Sequence, residues 1–267
     1  MKIEMNPVTI DEIPLQFKNI TGKINNMTFP KQGYTSDVGI LHTDKERYVV
    51  KRAKGELFRT WLSQEASVLV ALSVTDLSVP RLFHFVSDAD SMQSWTLTEH
   101  LEGVTLRNYL YEEKDQQNRH KAIYSFGETL AKVHITTCPN ELMGDKLWLD
   151  EQLENAQFNL ENYGTEGTRD LLDKLRRDRP SFHPQTLIHG DFTLDNVLVK
   201  DGKVTSIIDW SGGAFGDPRY DVSLAIRPKP NAFETKEDKE MFFAGYGKKI
   251  ITEADYHYFE EGLYNFF

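Results

Sequence analysis

One cysteine, Cys138, in 267 residues leaves the chain unable to form an internal disulfide, which suits a reducing compartment. Cys138 precedes a proline at what reads as a helix end, and no nucleophile motif surrounds it. Long apolar runs are absent: none approaches the ~20 residues that a membrane-spanning helix requires. Residues 1–14 carry acids and two prolines, with neither a basic stretch nor an apolar core, so no secretory signal is expected there. Basic residues are also in short supply. Against 41 Asp and Glu there are 31 Lys and Arg, giving a formal charge of −10 and a pI near 5.3. Such a chain repels nucleic acid and anionic membrane, and neither is expected as a main partner. Internal repeats and low-complexity tracts are missing too. The expectation is a soluble, cytoplasmic protein whose charge balance suits a small neutral or cationic ligand.

What is present is enough apolar material, 39% of residues, for one sizeable core or two modest lobes. The first third is strand-rich. Residues 38–41 and 47–51 flank a polar turn and read as a β-hairpin. A helix follows over about 60–72, then two strands over 80–86 and 95–98. After Val104 the patterning turns helical. Ile123, Phe126, Leu130, Val133 and His134 recur at helical spacing, and further helices are predicted over 148–163, 168–177, 220–226, 236–249 and 253–266. Strands interrupt them at 186–188 and at 197–199 with 204–208, joined across an Asp-Gly turn. The fold class predicted is α+β and bilobal. Residues 1–98 form a strand-rich N-terminal lobe, 99–103 a hinge, and 104–267 a mainly helical C-terminal lobe, with a ligand cleft expected between them.

The informative stretch is His189-Gly190-Asp191-Phe192-Thr193-Leu194-Asp195-Asn196, followed by a hairpin and then Ile207-Ile208-Asp209. Asp191 follows an apolar strand in a loop, Asn196 starts the next strand, and Asp209 ends the last. The hairpin folds the chain back so that the three converge. Alone, each would be a turn or cap residue; in this order they divide a task. A carboxylate and an amide oxygen form a hard donor pair that holds Mg²⁺ and leaves positions for phosphate and water. A separate carboxylate accepts the proton of an attacking hydroxyl. Phosphoryl transfer needs this division, with Asp191 as base and Asn196 and Asp209 as metal ligands.

In residues 47–51, alternation puts Val49 and Lys51 on one strand face. Glu65 shares a helix face with Val68, Leu69 and Leu72, where a lone charge is costly. Lys51 is its natural partner, and the pair has the form of the ion pair that kinases place at ATP phosphates.

His189-Gly190-Asp191-x-x-x-x-Asn196 followed by Ile207-Ile208-Asp209 resembles the signature of the aminoglycoside phosphotransferase and choline kinase family, which shares the protein kinase fold. The resemblance runs from about Gly33 to the end and is strongest from His189 to Asp221. It implies catalytic Asp191, metal ligands Asn196 and Asp209, and ATP and Mg²⁺ bound between the lobes. It also implies a phosphate-contacting loop over 32–38 with Ser36, and adenine held by the carbonyl of Glu99 and the N–H of Leu101. His189 is expected to organise the loop rather than carry protons. Asp217 before Pro218 reads as a helix cap, and Asp221 as a brace for the catalytic loop. Local phrases such as Val79-Pro80-Arg81-Leu82-Phe83 look closest to the aminoglycoside 3′-phosphotransferases. Tyr264 and Asn265 nevertheless stand where that group is expected to carry an acidic pair. The acceptor implied is a small hydroxyl compound of cationic type, set against acids and aromatics over 253–267. A choline-type or other metabolite kinase, and a silent nucleotide-binding member of the fold, are the alternatives.

Overall fold

A computed structural model describes residues 8–30 and 35–267. The chain divides into two compact units. One takes the residues up to Val74, Val79–Glu102 and Trp210–Gly212; the other takes Thr75–Ser78, Gly103–Asp209 and Gly213–Phe267.

The first unit opens with α1 (Leu15–Thr21) and β1 (Ile24–Thr28), neither of which the sequence pattern announces. Then come β2 (Asp37–Thr43), β3 (Arg47–Lys54), α2 (Glu56–Leu72), β4 (Leu82–Asp88) and β5 (Gln93–Glu99). The five strands form one antiparallel sheet in the order β1-β2-β3-β5-β4. Strand alternation sorts its two faces. Leu41, Tyr48, Val50, Trp95 and Leu97 face a core completed by Val8, Ile13 and Phe17 of the leading segment. Val49 and Lys51 take the opposite face, where α2 lies. That helix begins four residues before the expected 60. Gly55 leaves β3 with φ +79°, a conformation that glycine adopts without strain, and Glu56 occupies the first turn. Leu62, Glu65, Ala66, Val68, Leu69 and Leu72 are its buried face.

The second unit holds β6 (Val104–Thr105), α3 (Leu106–Glu112), α4 (Gln116–Ile135), α5 (Trp148–Asn162) and α6 (Arg169–Arg177). After them come β7 (Thr186–Ile188), β8 (Val197–Lys200), β9 (Lys203–Ile207), β10 (Ala214–Gly216), α7 (Pro218–Ala225), α8 (Lys236–Tyr246) and α9 (Glu253–Phe259). The Asp-Gly turn between β8 and β9 has positive φ at both residues, 52° and 73°, the hairpin geometry that dipeptide favours. Strand β6 adds to this hairpin, and β7 pairs with β10. A core of Trp148, Leu153, Leu172, Ile188, Phe259 and Phe266 lies under α5 and α6.

The segment predicted as one helix over 253–266 is instead α9 followed by a 3-10 turn, Leu263–Phe266. Gly262 separates them, at φ −110° and ψ −84°. A Cβ there would come 2.4 Å from the carbonyl oxygen of Tyr258, so the close approach requires glycine. The break redirects Tyr264, with consequences for the site.

Helices α4 and α8 also meet through glycine. A Cβ on Gly127 would lie 2.1 Å from the Phe242 carbonyl oxygen, and one on Gly245 2.0 Å from that of Tyr124. Backbone contacts of this kind cannot relax by a rotamer change. Gly127→Ala should therefore destabilise the protein by roughly 1–3 kcal/mol, although alanine is the better helix former. Urea unfolding reads this out, and an unchanged or raised midpoint would refute the packing argument.

Candidate active site

The loop after β7 holds Asp191, and a buried carboxylate shapes it. Asp221 of α7 is fully buried. Its Oδ2 accepts the N–H of His189 at 2.6 Å and its Oδ1 that of Gly190 at 2.8 Å. His134 Nε2 lies 3.3 Å from the same carboxylate. Helix α7 is held in turn by Asp217, whose side chain caps it ahead of Pro218. The bracing expected of Asp221 is thus present as two short bonds to the loop backbone.

His189 is buried and bonded at both ring nitrogens. Nε2 donates to the Ile208 carbonyl at 2.9 Å, and Nδ1 accepts the Asp191 N–H at 3.1 Å. This pattern requires the neutral ring, and burial drives its pKa down. The imidazole ties the loop to the strand end beside Asp209.

Asp191 is partly buried. Asn196 Nδ2 donates to its backbone carbonyl and to its Oδ2, both at 2.8 Å. The Tyr264 hydroxyl donates to Oδ1 at 3.2 Å. Loss of water pushes the carboxyl up to about 7; the Asn196 bond opposes the shift, the Asp209 charge adds to it, and Tyr264 and Arg227 oppose it. Burial and the neighbouring Asp191 carboxylate drive the Tyr264 hydroxyl well above its usual range, so it stays a donor.

Asn196 is buried and in register with the strand end, its carbonyl accepting the Ile208 N–H at 2.9 Å. Because its amide nitrogen is engaged by Asp191, its side-chain oxygen is left as the acceptor. Asp209 follows Ile208 with φ +62°, a left-handed conformation that costs a non-glycine residue free energy and turns the chain sharply. Among the described residues no group of three or more His, Cys, Asp or Glu is arranged to hold a metal ion. Asn196 and Asp209 offer a two-donor oxygen set, which suits a cation that takes its other ligands from phosphate and water.

In the first unit, Lys51 Nζ lies 2.6 Å from Glu65 Oε1, with both side chains largely buried. Strand β3 fixes Lys51 between Val38 and Thr96. Ser36 is partly buried just before β2, beside Asp37, which is tied to buried Arg52 at 2.6 Å. Residues 32–34 of the expected phosphate loop lie outside the described residues. Glu99 closes β5 opposite Tyr48, and its N–H donates to the Arg81 carbonyl at 2.9 Å. The N–H of Leu101, just beyond, enters none of the loop hydrogen bonds among the described residues. The structure therefore brings Asp191, Asn196 and Asp209 together in one unit, and Lys51 with Glu65 in the other, where Ser36, Glu99 and Leu101 also lie.

Two residues at the site were not read from the sequence. From the sequence Tyr264 stands as a departure from an acidic pair and as one of the aromatics set among acids over 253–267, with no link to Asp191, and Arg227 carries no signal at all. Arg227 lies over the Tyr264 ring, 4.3 Å from its centre, and pairs with Glu260 at 2.5 Å. No local pattern links positions 191, 227 and 264; the break at Gly262 does.

Residues 26–260 match the model of the phosphotransferase enzyme family. An aminoglycoside 3′-phosphotransferase of Enterococcus faecalis is 29% identical over 195 residues, covering 68% of this chain and 71% of that protein. A homoserine kinase of Neisseria meningitidis serogroup B is 26% identical over 152 residues, 50% of this chain and 46% of that one. Among solved structures, the gentamicin complex of the phosphotransferase APH(2″)-IIa superposes with a TM-score of 0.66 at 17% identity, covering 92% of this chain and 83% of that one. Its streptomycin–ATP ternary complex gives 0.64 at 19% identity, over 90% and 85%. The α+β kinase-like fold expected from the sequence is the fold found. With the family model spanning most of its length, the chain belongs to the phosphotransferase enzyme family and is a small-molecule kinase.

Proposed function

We propose that this kinase moves the γ-phosphoryl group of ATP to a hydroxyl of a small acceptor, with Asp191 as the catalytic base. The observation that carries the reading is the placement of Asp191: its carboxylate is oriented by Asn196 Nδ2 at 2.8 Å and reached by the Tyr264 hydroxyl at 3.2 Å, and loss of water pushes its pKa up to about 7. A base works best when its pKa lies near the operating pH. Asp191 accepts the acceptor's hydroxyl proton as that oxygen bonds to phosphorus and ADP departs. Asn196, braced through the loop, holds the carboxylate oriented.

Residues 1–98 serve as the nucleotide-binding lobe, 99–103 as a hinge and 104–267 as the catalytic lobe. Lys51, oriented by Glu65, pairs with the ATP phosphates. Ser36 contacts phosphate at the start of β2. The Glu99 carbonyl and the Leu101 N–H receive adenine. Asn196 Oδ1 and the Asp209 carboxylate hold Mg²⁺, which when bound neutralises phosphate charge. The relatives named above put aminoglycosides first among acceptors to screen, with homoserine beside them; amino alcohols follow from the choline kinase resemblance, and the cytoplasm is the compartment we infer. No helix among the described residues is long and apolar enough to cross a membrane.

Asp191→Asn should retain ATP binding and lose transfer by about 10²–10⁴-fold. Full turnover in that variant, measured by ADP release with an active acceptor, refutes the base assignment. Lys51→Ala should raise the ATP KM and lower kcat; ATP kinetics equal to wild type would remove Lys51 from the nucleotide site.

The same carboxyl predicts a pH effect on the ligand-free protein. Its folded pKa is raised, so its contribution to stability is complete below the unfolded value of about 3.9 and is lost as pH rises through about 7. Asp191→Asn should melt with wild type near pH 4. Above pH 7 it should be more stable, by up to roughly 3–4 kcal/mol for a shift of about three units. Melting curves of the two proteins at pH 5 and pH 8 test this, and a constant difference contradicts the shift.

A further inference from the structure

Residues 193–196 form the turn that delivers Asn196, and Arg107 holds that turn from outside the loop. The Asn196 N–H donates to the Thr193 carbonyl at 3.1 Å, which leaves Leu194 and Asp195 as the central residues of the turn. Arg107 reaches both. Its backbone N–H donates to the Leu194 carbonyl at 3.1 Å. Its guanidinium meets the Asp195 carboxylate fork to fork, Nε to Oδ1 at 2.5 Å and Nη2 to Oδ2 at 2.6 Å. Two parallel bonds between planar groups fix orientation as well as distance.

Arg107 is itself tied to the strand that Asn196 precedes. Thr105 of β6 pairs with Leu198 of β8, and Val104 with Val199. The pairing is antiparallel, so the residues after Thr105 run beside those before Leu198. Arg107 and Asn196 each lie two positions from that pair. The Thr105 hydroxyl accepts the Asn108 N–H at 3.3 Å and so caps α3, fixing the first turn that carries Arg107.

Local preference does not favour an arginine there. Helix α3 has no acid in its first turn, and a cation at a helix N-terminus meets the positive end of the peptide dipoles. Asp195, brought from the loop, supplies the negative charge. A residue that goes against local preference and finds its partner between the base and a metal ligand points to the site rather than to its own helix. The side chains of Arg107 and Asp195 are 33% and 51% exposed, so the pair adds little to global stability. Its effect is local. Asn196 Nδ2 is bonded to Asp191, its Oδ1 is left for a cation, and a swing of the turn moves both ends of that amide together.

Resting on the kinase reading above, we propose that Arg107 is a positioning residue for phosphoryl transfer. Through Leu194 and Asp195 it sets the turn in which Asn196 presents its side-chain oxygen to the divalent cation while its Nδ2 orients Asp191. The action of Arg107 runs through Asn196, and no contact of its own with phosphate or acceptor is part of it.

The test uses the full chain, with Mn²⁺ in place of Mg²⁺, since oxygen donors suit both. Mn²⁺ binding to the ADP complex is followed by the electron paramagnetic resonance signal of free Mn²⁺, independently of turnover. Arg107→Gln keeps the backbone bond to Leu194 and removes the fork. Asp195→Asn removes the partner's charge and leaves α3 untouched. Each should weaken Mn²⁺ in the ADP complex by roughly threefold to tenfold, while metal-free ADP binds as in wild type. The double variant should lose no more than the worse single variant, because both changes break one contact. Arg107→Lys keeps the charge without the fork and should recover only part of the loss. With an active acceptor, kcat should fall in the variants that bind Mn²⁺ weakly. The proposal is overturned if both single variants bind Mn²⁺ as wild type does and merely melt lower, which marks the pair as structural. It is also overturned if the losses add in the double variant, if Arg107→Lys recovers the whole loss, or if kcat is unchanged where Mn²⁺ is weakened. If the wild-type ADP complex itself binds no Mn²⁺, the metal reading of Asn196 and Asp209 fails, and this inference with it; wild-type binding with unchanged variants defeats this inference alone.

Discussion

The Asp221 carboxylate, fully buried, meets the N–H groups of His189 and Gly190 with one oxygen each. A buried charge without partners would be costly, and this one has two backbone donors and a histidine at hand. Their effect is to set the loop before Asp191 in one conformation. Gly190 takes φ +82° there, His189 turns inward to bond the Ile208 carbonyl, and Asp191 is left at the edge of the buried region. Removing the brace would release the loop, the strand end and the bonds around Asn196 together.

The desolvation that raises the Asp191 carboxyl follows from that placement. Its two oxygens are engaged by donors of different kinds. Asn196 is held by the β8–β9 hairpin and is a permanent part of the loop. Tyr264 arrives from the end of the chain, beyond the break at Gly262, and brings Arg227 with it. One donor thus comes from the hairpin and the other from the chain end.

The first unit shows how one strand serves two ends. Alternation along β3 sends Tyr48, Val50 and Arg52 to the face covered by the leading segment, and Val49 and Lys51 to the face of α2. Arg52 is held there by Asp37 and Glu12 and lies over Trp95, 5.3 Å from the ring centre. Lys51, one residue earlier, meets Glu65. Both are lysine- or arginine-acid pairs in buried surroundings, yet only the Lys51 pair was legible beforehand, because Glu65 interrupts an otherwise apolar helix face.

Much of the chemistry was decided by local sequence. The spacing from Asp191 to Asn196, the Asp-Gly turn and the apolar strands on either side are short-range features, and short-range geometry is enough to make Asp191, Asn196 and Asp209 converge. Periodicity likewise placed β2, β3, α2 and α4, because a half-buried element must alternate with its own repeat. It missed α1, whose burial depends on the sheet it covers, and β1, an edge strand of that sheet with no buried residue, and it ran α9 on past Phe259, where the helix ends ahead of the close approach of Gly262 to the Tyr258 carbonyl. The ion pairs near Asp191 were beyond it altogether. Net charge counts residues, whereas a site feels only those whose partners leave a remainder. Arg107 and Arg227 are separated by more than a hundred residues of chain, and their pairing with Asp195 and Glu260 is a matter of distance in the folded unit. The sequence determined the order and spacing of Asp191, Asn196 and Asp209; only the tertiary structure decided which side chains from distant segments, Tyr264 and Arg227 among them, stand beside Asp191, because their approach depends on distance in space.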